Sequence, residues 1–501
     1  MGLSAGWGRG DVGADGIERP RWAYLLAALV GGVALSAGLP PFGWWPLALT
    51  GAALVAGVLT GAGLRRRLVC GAVAGAGFLG PGLVWMTEFH LLGFALAVLV
   101  ETALFALALA AAPSGRSQPL GLPAALVLVE AFRGIWPFGG VPIATLAQTQ
   151  IGGPLAEVAR LGGSLLVAAL VGLAGVALAA LAQRRWRRAV AGIVVVAVVV
   201  AAGFVAPRGQ AIGRLDVAVI QVGGERGLRA IEGSSGPGLP TLVSTTEALA
   251  GGTDLVLWPE DGVRVDGDVA GSPRSREVGD LARRLDATIV SGVSESRGPV
   301  RHNLAAAWGP DGALLDHYRK HQVVPFGERL PFRSLVERVA DTSAVARDVI
   351  PGQGPGLLET PAGDLGVVIS FEVFFPRRVR AALHEGAELV LVPTNAASYP
   401  TTQMPALELG AARMRAVETG RVVVQAAPTG FSAVVAPDGT VRQQSDLGEP
   451  AVLSAEIERR AGDTVYTRLC DGPLVAAAVV ALAVAWLLAR RRPRPSRRID
   501  C

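Results

Sequence analysis

The stretch Ala189–Gln221, AVAGIVVVAVVVAAGFVAPRGQAIGRLDVAVIQ, decides the architecture, because two different patterns meet inside it. Residues 189–206 are uncharged and apolar throughout, close to the run of about 20 residues that a helix needs to cross a bilayer core. Pro207-Arg208-Gly209 breaks that run. From Leu215 the chain turns to short β-branched runs, and Asp216–Gln221 reads as the first strand of a different kind of structure. A membrane segment therefore hands over to an α/β domain at about residue 207.

Working towards the N-terminus, further apolar runs lie at about 68–87, 91–112, 120–136 and 158–183. Trp22–Leu64 holds no charged residue and is long enough for two spans, divided by the turn signal Pro40-Pro41-Phe42-Gly43. A last run follows at about 473–489, which makes eight expected spans. The chain of 501 residues is 51% hydrophobic and 17% charged, against roughly 25% charged in soluble proteins. A wholly soluble enzyme is excluded, and so is disorder. The expected units are a segment 1–21, a bundle of seven helices at 22–206, a domain at 207–470, an eighth span at 471–490 and a basic tail at 491–501.

The net charge of +5 resembles a nucleic-acid signal until the positions are read. Arg9, Arg19 and Arg21 precede the first span, and Arg65-Arg66-Arg67 follow the second. Arg116 follows the fourth, Arg184, Arg185, Arg187 and Arg188 the sixth, and the Arg-rich tail Arg490–Arg498 the eighth. With eight spans all five groups fall on one side, which the positive-inside rule makes cytoplasmic. No nucleic-acid partner is expected, and 207–470 is expected outside the cytoplasm. Within the bundle, Glu101 lies mid-span, where a carboxylate is either functional or hydrogen-bonded towards the interior. Glu130 and Arg133 share a helix face, either neutralising each other or lining a headgroup site. The connector 137–157, PFGGVPIATLAQTQIGGPLAE, is almost uncharged and expected against the membrane surface.

Beyond Leu215, expected strands are Asp216–Gln221, Asp254–Trp258, Thr288–Gly292, Leu304–Trp308, Ala313–Tyr318, Gly366–Ile369, Leu389–Pro393, Arg421–Ala426, Ser432–Ala436 and Ala451–Ile457. Helical segments at 276–286, 376–385 and 405–418 intervene. The alternation argues an α/β fold with buried sheets, and no P-loop or Rossmann glycine fingerprint opens any unit. Three Cys cannot make a disulfide framework, and five scattered His make a His-based metal cluster improbable.

Three runs have site character. Leu255–Glu260 (LVLWPE) is an apolar strand ending in a carboxylate, and strand C-terminal ends line the ligand crevice of α/β sheets. His317–Glu328 (HYRKHQVVPFGE) places Lys320 after a second strand and Glu328 eight residues on. Gly366–Pro376 (GVVISFEVFFP) runs a strand straight into Ser370. Singly, a strand-end Glu or Ser is more often a cap, and Lys320 a solvated charge.

Together, that order of Glu, Lys and nucleophile resembles the nitrilase (carbon-nitrogen hydrolase) superfamily. With the flanking spans it looks like the apolipoprotein N-acyltransferase family. The resemblance covers nearly the whole chain. It rests on Glu130-Ala131-Phe132-Arg133-Gly134 with Gln150, WPE at 258–260, PFGE ending at Glu328, Pro393-Thr394-Asn395, Ala412–Arg421 and Thr429–Ala433. It implies a four-layer α/β/β/α sandwich beside a helical membrane bundle, in a multi-pass protein of the bacterial cell membrane with its catalytic domain extracytoplasmic. It implies Glu260 as general base, Lys320 as cationic stabiliser, Ser370 in the nucleophile's place, Glu328 as an ordering second glutamate, and Phe371 and Glu372 as supporting residues. The implied partners are a membrane phospholipid as acyl donor and a diacylglyceryl lipoprotein as acceptor, with no metal or organic cofactor.

This chain departs from the family in carrying Ser370 where the family uses cysteine. It also reads Ala396-Ala397-Ser398-Tyr399 where aromatics usually follow Asn395, and Val222-Gly223-Gly224 after Gln221 in place of Gly-Asn. A thiol with pKa about 8.5 is within reach of a carboxylate base, whereas a hydroxyl is far less acidic. A neutral Lys320 could serve as the base instead. The readings left open are a serine-based acyltransferase, a silent paralogue that binds lipid or lipoprotein, and a different nucleophile, with Cys470 the only extracytoplasmic thiol. A membrane-tethered amidase and a transporter explain the bundle or its charges less well. The loops 223–240 and 396–404 are candidate lids.

Overall fold

The computed structural model describes residues 11–12, 18–88, 90–227, 238–249, 251–338, 342, 345, 347–399 and 401–490. The first body comprises helices α1 (Arg21–Ser36), α2 (Trp45–Leu59), α3 (Leu64–Gly82), α4 (Leu91–Ala111), α5 (Gln118–Arg133), α6 (Ala159–Ala182) and α7 (Trp186–Val205). Every apolar run is helical. By length and composition, Leu91–Ala111, Pro154–Ala182, Trp186–Val205 and the C-terminal Gly472–Arg490 are able to cross a membrane, while α1 and α2 are shorter apolar helices. At 1.5 Å per residue, the 16 residues of α1 rise about 24 Å. The third run closes earlier than its hydropathy suggests, at Gly82, because Pro81 removes a backbone donor; the chain continues as a 3₁₀ turn, Val84–Glu88.

Small residues let these helices approach closely. A Cβ on Gly32 of α1 would stand 2.1 Å from the Ala74 carbonyl oxygen of α3, and one on Gly175 of α6 would stand 2.7 Å from that of Ala52. The charges buried mid-bundle are paired: Arg133 bonds Glu101, reaches Glu130 at 3.0 Å, and donates to the Ile143 carbonyl at 2.7 Å. Glu130 in turn accepts from the Leu146 amide at 3.0 Å. Glu101 is thus hydrogen-bonded towards the interior, and the Glu130–Arg133 pair secures the connector rather than lining an open site. At one end of the bundle Arg66 donates to Thr60 O, Gln118 bonds Thr60, Ser114 donates to Ala62 O, and Trp486 donates to Ala111 O.

The α/β domain packs on the opposite end. Its elements are β1 (Gln210–Gln221), α8 (Leu239–Glu247), β2 (Leu255–Leu257), β3 (Val263–Asp266), α9 (Pro273–Leu285), β4 (Thr288–Arg297), β5 (Val300–Trp308), β6 (Leu314–Arg319) and β7 (Asp348–Val349). After these come β8 (Leu357–Thr360), β9 (Gly363–Val367), α10 (Pro376–His384), β10 (Leu389–Pro393), α11 (Gln403–Thr419), β11 (Val423–Ala426), β12 (Ala433–Val435), β13 (Val441–Gln444) and β14 (Ala451–Ala461). A short helix α12 (Val465–Leu469) leads into α13 (Gly472–Arg490). One sheet runs β14-β1-β2-β4-β5-β6, with β3 on β4 and β7 on β5; the other runs β8-β9-β10-β11-β12-β13.

Strand periodicity explains the layering. Leu215, Val217, Val219, Leu255 and Leu257 of the first sheet meet Leu365, Val367, Leu389, Leu391 and Val424 of the second in one core. The alternate residues Ala218, Ile220, Val256 and Trp258 pack under α8 and α9 with Leu242, Val278 and Leu281. The outer face of the second sheet packs on α10 and α11, and this core is continuous with the bundle, joining Leu407, Met414 and Val417 to Ile151, Val158 and Val167. The result is the four-layer sandwich expected, with its α10–α11 layer lying between sheet and bundle.

Within the α/β domain, four strands escaped the sequence reading, β3, β7, β8 and β13, together with helices α8 and α12 and the helical turn Arg333–Val336. The strands are short, and β13 alternates half-buried with exposed polar residues, leaving little apolar signal. β9 ends at Val367 rather than Ile369, because the chain must turn into Ser370. Of the candidate lids, residues 228–237 and Pro400 lie outside the described residues. The described parts are tied together: Gly227 N donates to Ala397 O at 2.7 Å, and Arg226 donates to Tyr399 O and Thr401 O at 2.8 and 2.7 Å.

Candidate active site

Two strand ends and one strand interior make the first half of the site. β2 ends at Leu257, and buried Trp258 anchors the exit by donating Nε1–H to Thr246 Oγ1 at 3.0 Å. Pro259 then turns the chain so that Glu260 points inward. Lys320 follows β6 directly, and its Nζ donates to Glu260 Oε1 and Glu328 Oε1, each at 2.9 Å. Asn303, within β5, donates Nδ2–H to the same two oxygens at 2.7 and 2.9 Å. Gly292 of β4 makes the packing possible, since a Cβ there would lie 2.3 Å from Glu260 Cα.

Lys320 is 1% exposed. Burial alone would lower its pKa, but the two carboxylates outweigh that and hold the ammonium well above the ordinary lysine range. A neutral Lys320 acting as base, one of the openings left by the sequence, fits this geometry poorly, because two carboxylates accept from its Nζ. Burial raises the Glu260 carboxyl, with Lys320 opposing the shift and Glu328 adding to it.

The second half is a strained turn. Ser370 opens a 3₁₀ turn, Ser370–Phe374, with φ +49°, in the left-handed region that non-glycine residues seldom occupy. Glu372 holds the turn. Its carboxylate accepts from Ile369 N at 2.9 Å, Tyr318 OH at 2.8 Å, and the His321 and Gln322 amides at 2.9 Å each. One fully buried side chain thus fastens the serine turn to the loop after Lys320. Phe371 packs edge-on to Phe375 with ring centroids 5.0 Å apart, which points it into the apolar layer beneath.

Thr394 joins the halves. Its carbonyl accepts from Glu260 N at 3.3 Å, while its hydroxyl donates to Glu408 Oε1. Ser370 Oγ donates to that same Glu408 oxygen at 3.3 Å. Glu260, Lys320, Glu328 and Ser370 are therefore gathered at one place, through Asn303, Thr394 and Glu408. Glu408 and Asn303 were missed from the sequence. The only signal for Glu408 was a lone carboxylate in the apolar turn Met404–Leu409 of α11. Burial in the first place, with Glu260 nearby, pushes the Glu408 carboxyl up to about 7.

Tyr399 lies beside this group: burial and then Glu408 raise its phenol, and its ring meets Trp85 edge-on at 5.5 Å. Cys470 sits at the foot of α13, with its Sγ 3.8 Å from the Thr467 carbonyl oxygen; no contact among the described residues joins it to the site. Among the described residues, no group of three or more His, Cys, Asp or Glu is placed to hold a metal ion. Exposed aromatics flank the site's loops, Phe138 of the connector standing 5.4 Å from Phe326 and 6.3 Å from Phe332.

Comparison with known proteins follows the same division of the chain. A carbon-nitrogen hydrolase family model matches residues 216–465, and a model of the apolipoprotein N-acyltransferase N-terminal domain matches residues 31–177. A protein of Mycolicibacterium smegmatis named apolipoprotein N-acyltransferase is 30% identical over 93% of this chain and 85% of its own length. One from Photobacterium profundum with the same name is 28% identical, over 93% of this chain and 95% of its own length. Among solved structures, Saccharomyces cerevisiae Nit3, a member of the nitrilase superfamily, aligns at 19% identity over 50% of this chain and 92% of that one, with a TM-score of 0.38.

Proposed function

The chain belongs to the apolipoprotein N-acyltransferase family of carbon-nitrogen hydrolases and is an acyltransferase, and from that premise we propose that it works through an ester on Ser370. The donor in this reading is a membrane phospholipid, and the acceptor is the α-amino group of a lipoprotein's N-terminal diacylglyceryl-cysteine. Ser370 Oγ attacks the donor's acyl carbonyl, and the lysophospholipid leaves. The acceptor amine then takes the acyl group as an amide, and Ser370 is regenerated. Splitting the transfer in two lets each half use the same pocket in turn.

The observation that carries this reading is the convergence on Thr394 of a buried ammonium between two carboxylates and a serine on a strained turn. Lys320 supplies a fixed positive charge where a tetrahedral oxyanion would develop, in a site where burial strengthens it. Glu260 and Glu328 hold that ammonium charged, and Asn303 fixes both carboxylates. Glu372 acts through the turn, setting Ser370 against the loop of Lys320. The left-handed backbone at Ser370 fits strain kept at a functional position.

The apolar helices and the relatives make this a bacterial membrane protein. We place the α/β domain on the extracytoplasmic side of eight membrane helices, because the basic turns lie at the end of the bundle away from it. The exposed Phe138, Phe326 and Phe332 then face the outer interface, where aromatic rings are at home and where acyl chains would enter.

The test is transfer itself. Purified protein is given phosphatidylethanolamine vesicles and a synthetic diacylglyceryl-cysteine peptide, and N-acylated peptide is measured by mass spectrometry. The parent protein is expected to make product and Ser370→Ala to fall to background. Product formation unaffected by Ser370→Ala would refute the assignment, and no product from the parent would point to a silent paralogue.

A further inference from the structure

Glu260 is poorly placed to serve as the base for a hydroxyl here. Its Oε1 already accepts from Lys320 Nζ and Asn303 Nδ2, so much of its charge is spent on the ammonium. A serine needs a stronger base than a cysteine, since its proton is far harder to remove. Ser370 Oγ does not bond to Glu260 among the described contacts. It donates to Glu408 Oε1 at 3.3 Å.

Glu408 has the surroundings of a base. It is 3% exposed, and Lys320, the cation that acts on it, does so more weakly than the hydroxyls of Thr394 and Ser370. Its bonds are to two hydroxyls, those of Ser370 and Thr394. Thr394 holds Oε1 in place while Ser370 presents a proton to it. We propose that Glu408, in place of Glu260, is the catalytic residue that takes the proton from Ser370 Oγ, so that Ser370 and Glu408 form this chain's nucleophile–base pair. The inference rests on the reading of Ser370 as the acylated residue.

The steps balance. The Oγ–H bond breaks and its proton passes to Glu408 as the Oγ–C bond forms, the carbonyl π pair moving to an oxyanion beside Lys320. Collapse expels the lysophospholipid oxygen, which takes the proton from Glu408 and leaves the acyl ester on Ser370. The acceptor amine attacks that ester and gives a proton to Glu408. Departing Ser370 Oγ recovers that proton, leaving the amide. Glu260, Lys320 and Glu328 keep their charges throughout.

The carboxyl's elevated proton affinity, at about 7, suits a base near neutral pH. The groups facing it are Thr394 and Ser370 by contact, with Glu260, Lys320 and Tyr399 farther off. Burial first and then Glu260 disfavour its ionised form, against the Thr394 and Ser370 hydrogen bonds and Lys320, which favour it. A base must be deprotonated to work, so acylation rises with pH through about 7 and levels above it.

The experiment follows the rate of acyl-adduct formation on the full chain by intact mass, with dipalmitoylphosphatidylethanolamine vesicles as the probe and no acceptor. The variants are Ser370→Ala, Glu408→Gln, Ser370→Cys, and Ser370→Cys combined with Glu408→Gln. The parent is expected to acylate with the pH profile above, and Glu408→Gln to slow it by about 10²–10⁴-fold, the usual weight of general-base help. In the Ser370→Cys background the same change should cost less than about tenfold, because a thiol near pKa 8.5 needs less assistance; that variant also shows the fold intact. An adduct on Ser370 formed at the parental rate by Glu408→Gln overturns the inference while leaving Ser370 as nucleophile. Equal losses in both backgrounds overturn it too, by making Glu408 structural. An adduct that survives Ser370→Ala, or none on the parent, removes the underlying reading and the inference with it.

Discussion

Ser370 illustrates how much a single side chain depends on the backbone beneath it. At φ +49° it holds a conformation that costs a non-glycine residue on the order of 1–3 kcal/mol, and four hydrogen bonds into Glu372 help to hold the turn. Glycine adopts that backbone without penalty. Ser370→Gly should therefore abolish transfer yet leave the thermal midpoint unchanged or raised, by up to about 1 kcal/mol of stability. A lowered midpoint would mean that the turn is unstrained and the hydroxyl mainly structural. Lys320 is the opposite case, since removing it would strand two buried carboxylates, and its loss would confuse catalysis with folding.

At the scale of elements, the bundle and the domain are locked by a few buried polar contacts. Glu418 of α11 accepts from the amide and hydroxyl of Ser164 in α6, at 2.8 and 2.6 Å, while pairing with Arg415 at 2.8 Å. These bonds form where α6 is broken at Gly162–Gly163. Gly163 has φ +65°, and a Cβ there would lie 2.4 Å from the Tyr466 ring. Arg133 does the same for the connector, and Arg133→Met should cost about 3–5 kcal/mol by leaving Glu101 and Glu130 buried and unpaired. Thermal unfolding in detergent would measure that loss, and adding Glu101→Gln should recover part of it; no loss would mean that the carboxylates are already solvated. Such links are invisible along the chain. Leu389–Pro393 could be read because both its faces are buried and β-branched or aliphatic. β13 could not, because half its residues face solvent. Glu260, Lys320 and Ser370 stood out at the ends of apolar strands. Glu408 did not, lying on a helix 38 positions beyond its hydroxyl partner.

For the whole molecule, the arrangement explains why a hydrolase-like sandwich carries a membrane bundle. The helix that supplies Glu408 is one layer of the sandwich and also packs on the bundle, in a core continuous from Leu407 to Val167. Gln403 of that helix donates to Pro81 O at 2.7 Å and accepts from Trp85 N at 3.0 Å, so the rim of α3 abuts the element that holds the site. A tethered amidase would have no use for such docking, whereas an enzyme that draws acyl chains from a bilayer must keep its nucleophile registered against the membrane. The most direct measurement is to incubate the full chain with phospholipid vesicles, digest it, and locate the acyl group by peptide mass spectrometry. The account predicts one acyl ester, on Ser370; an acyl group on Cys470, or no acylated residue at all, would contradict it.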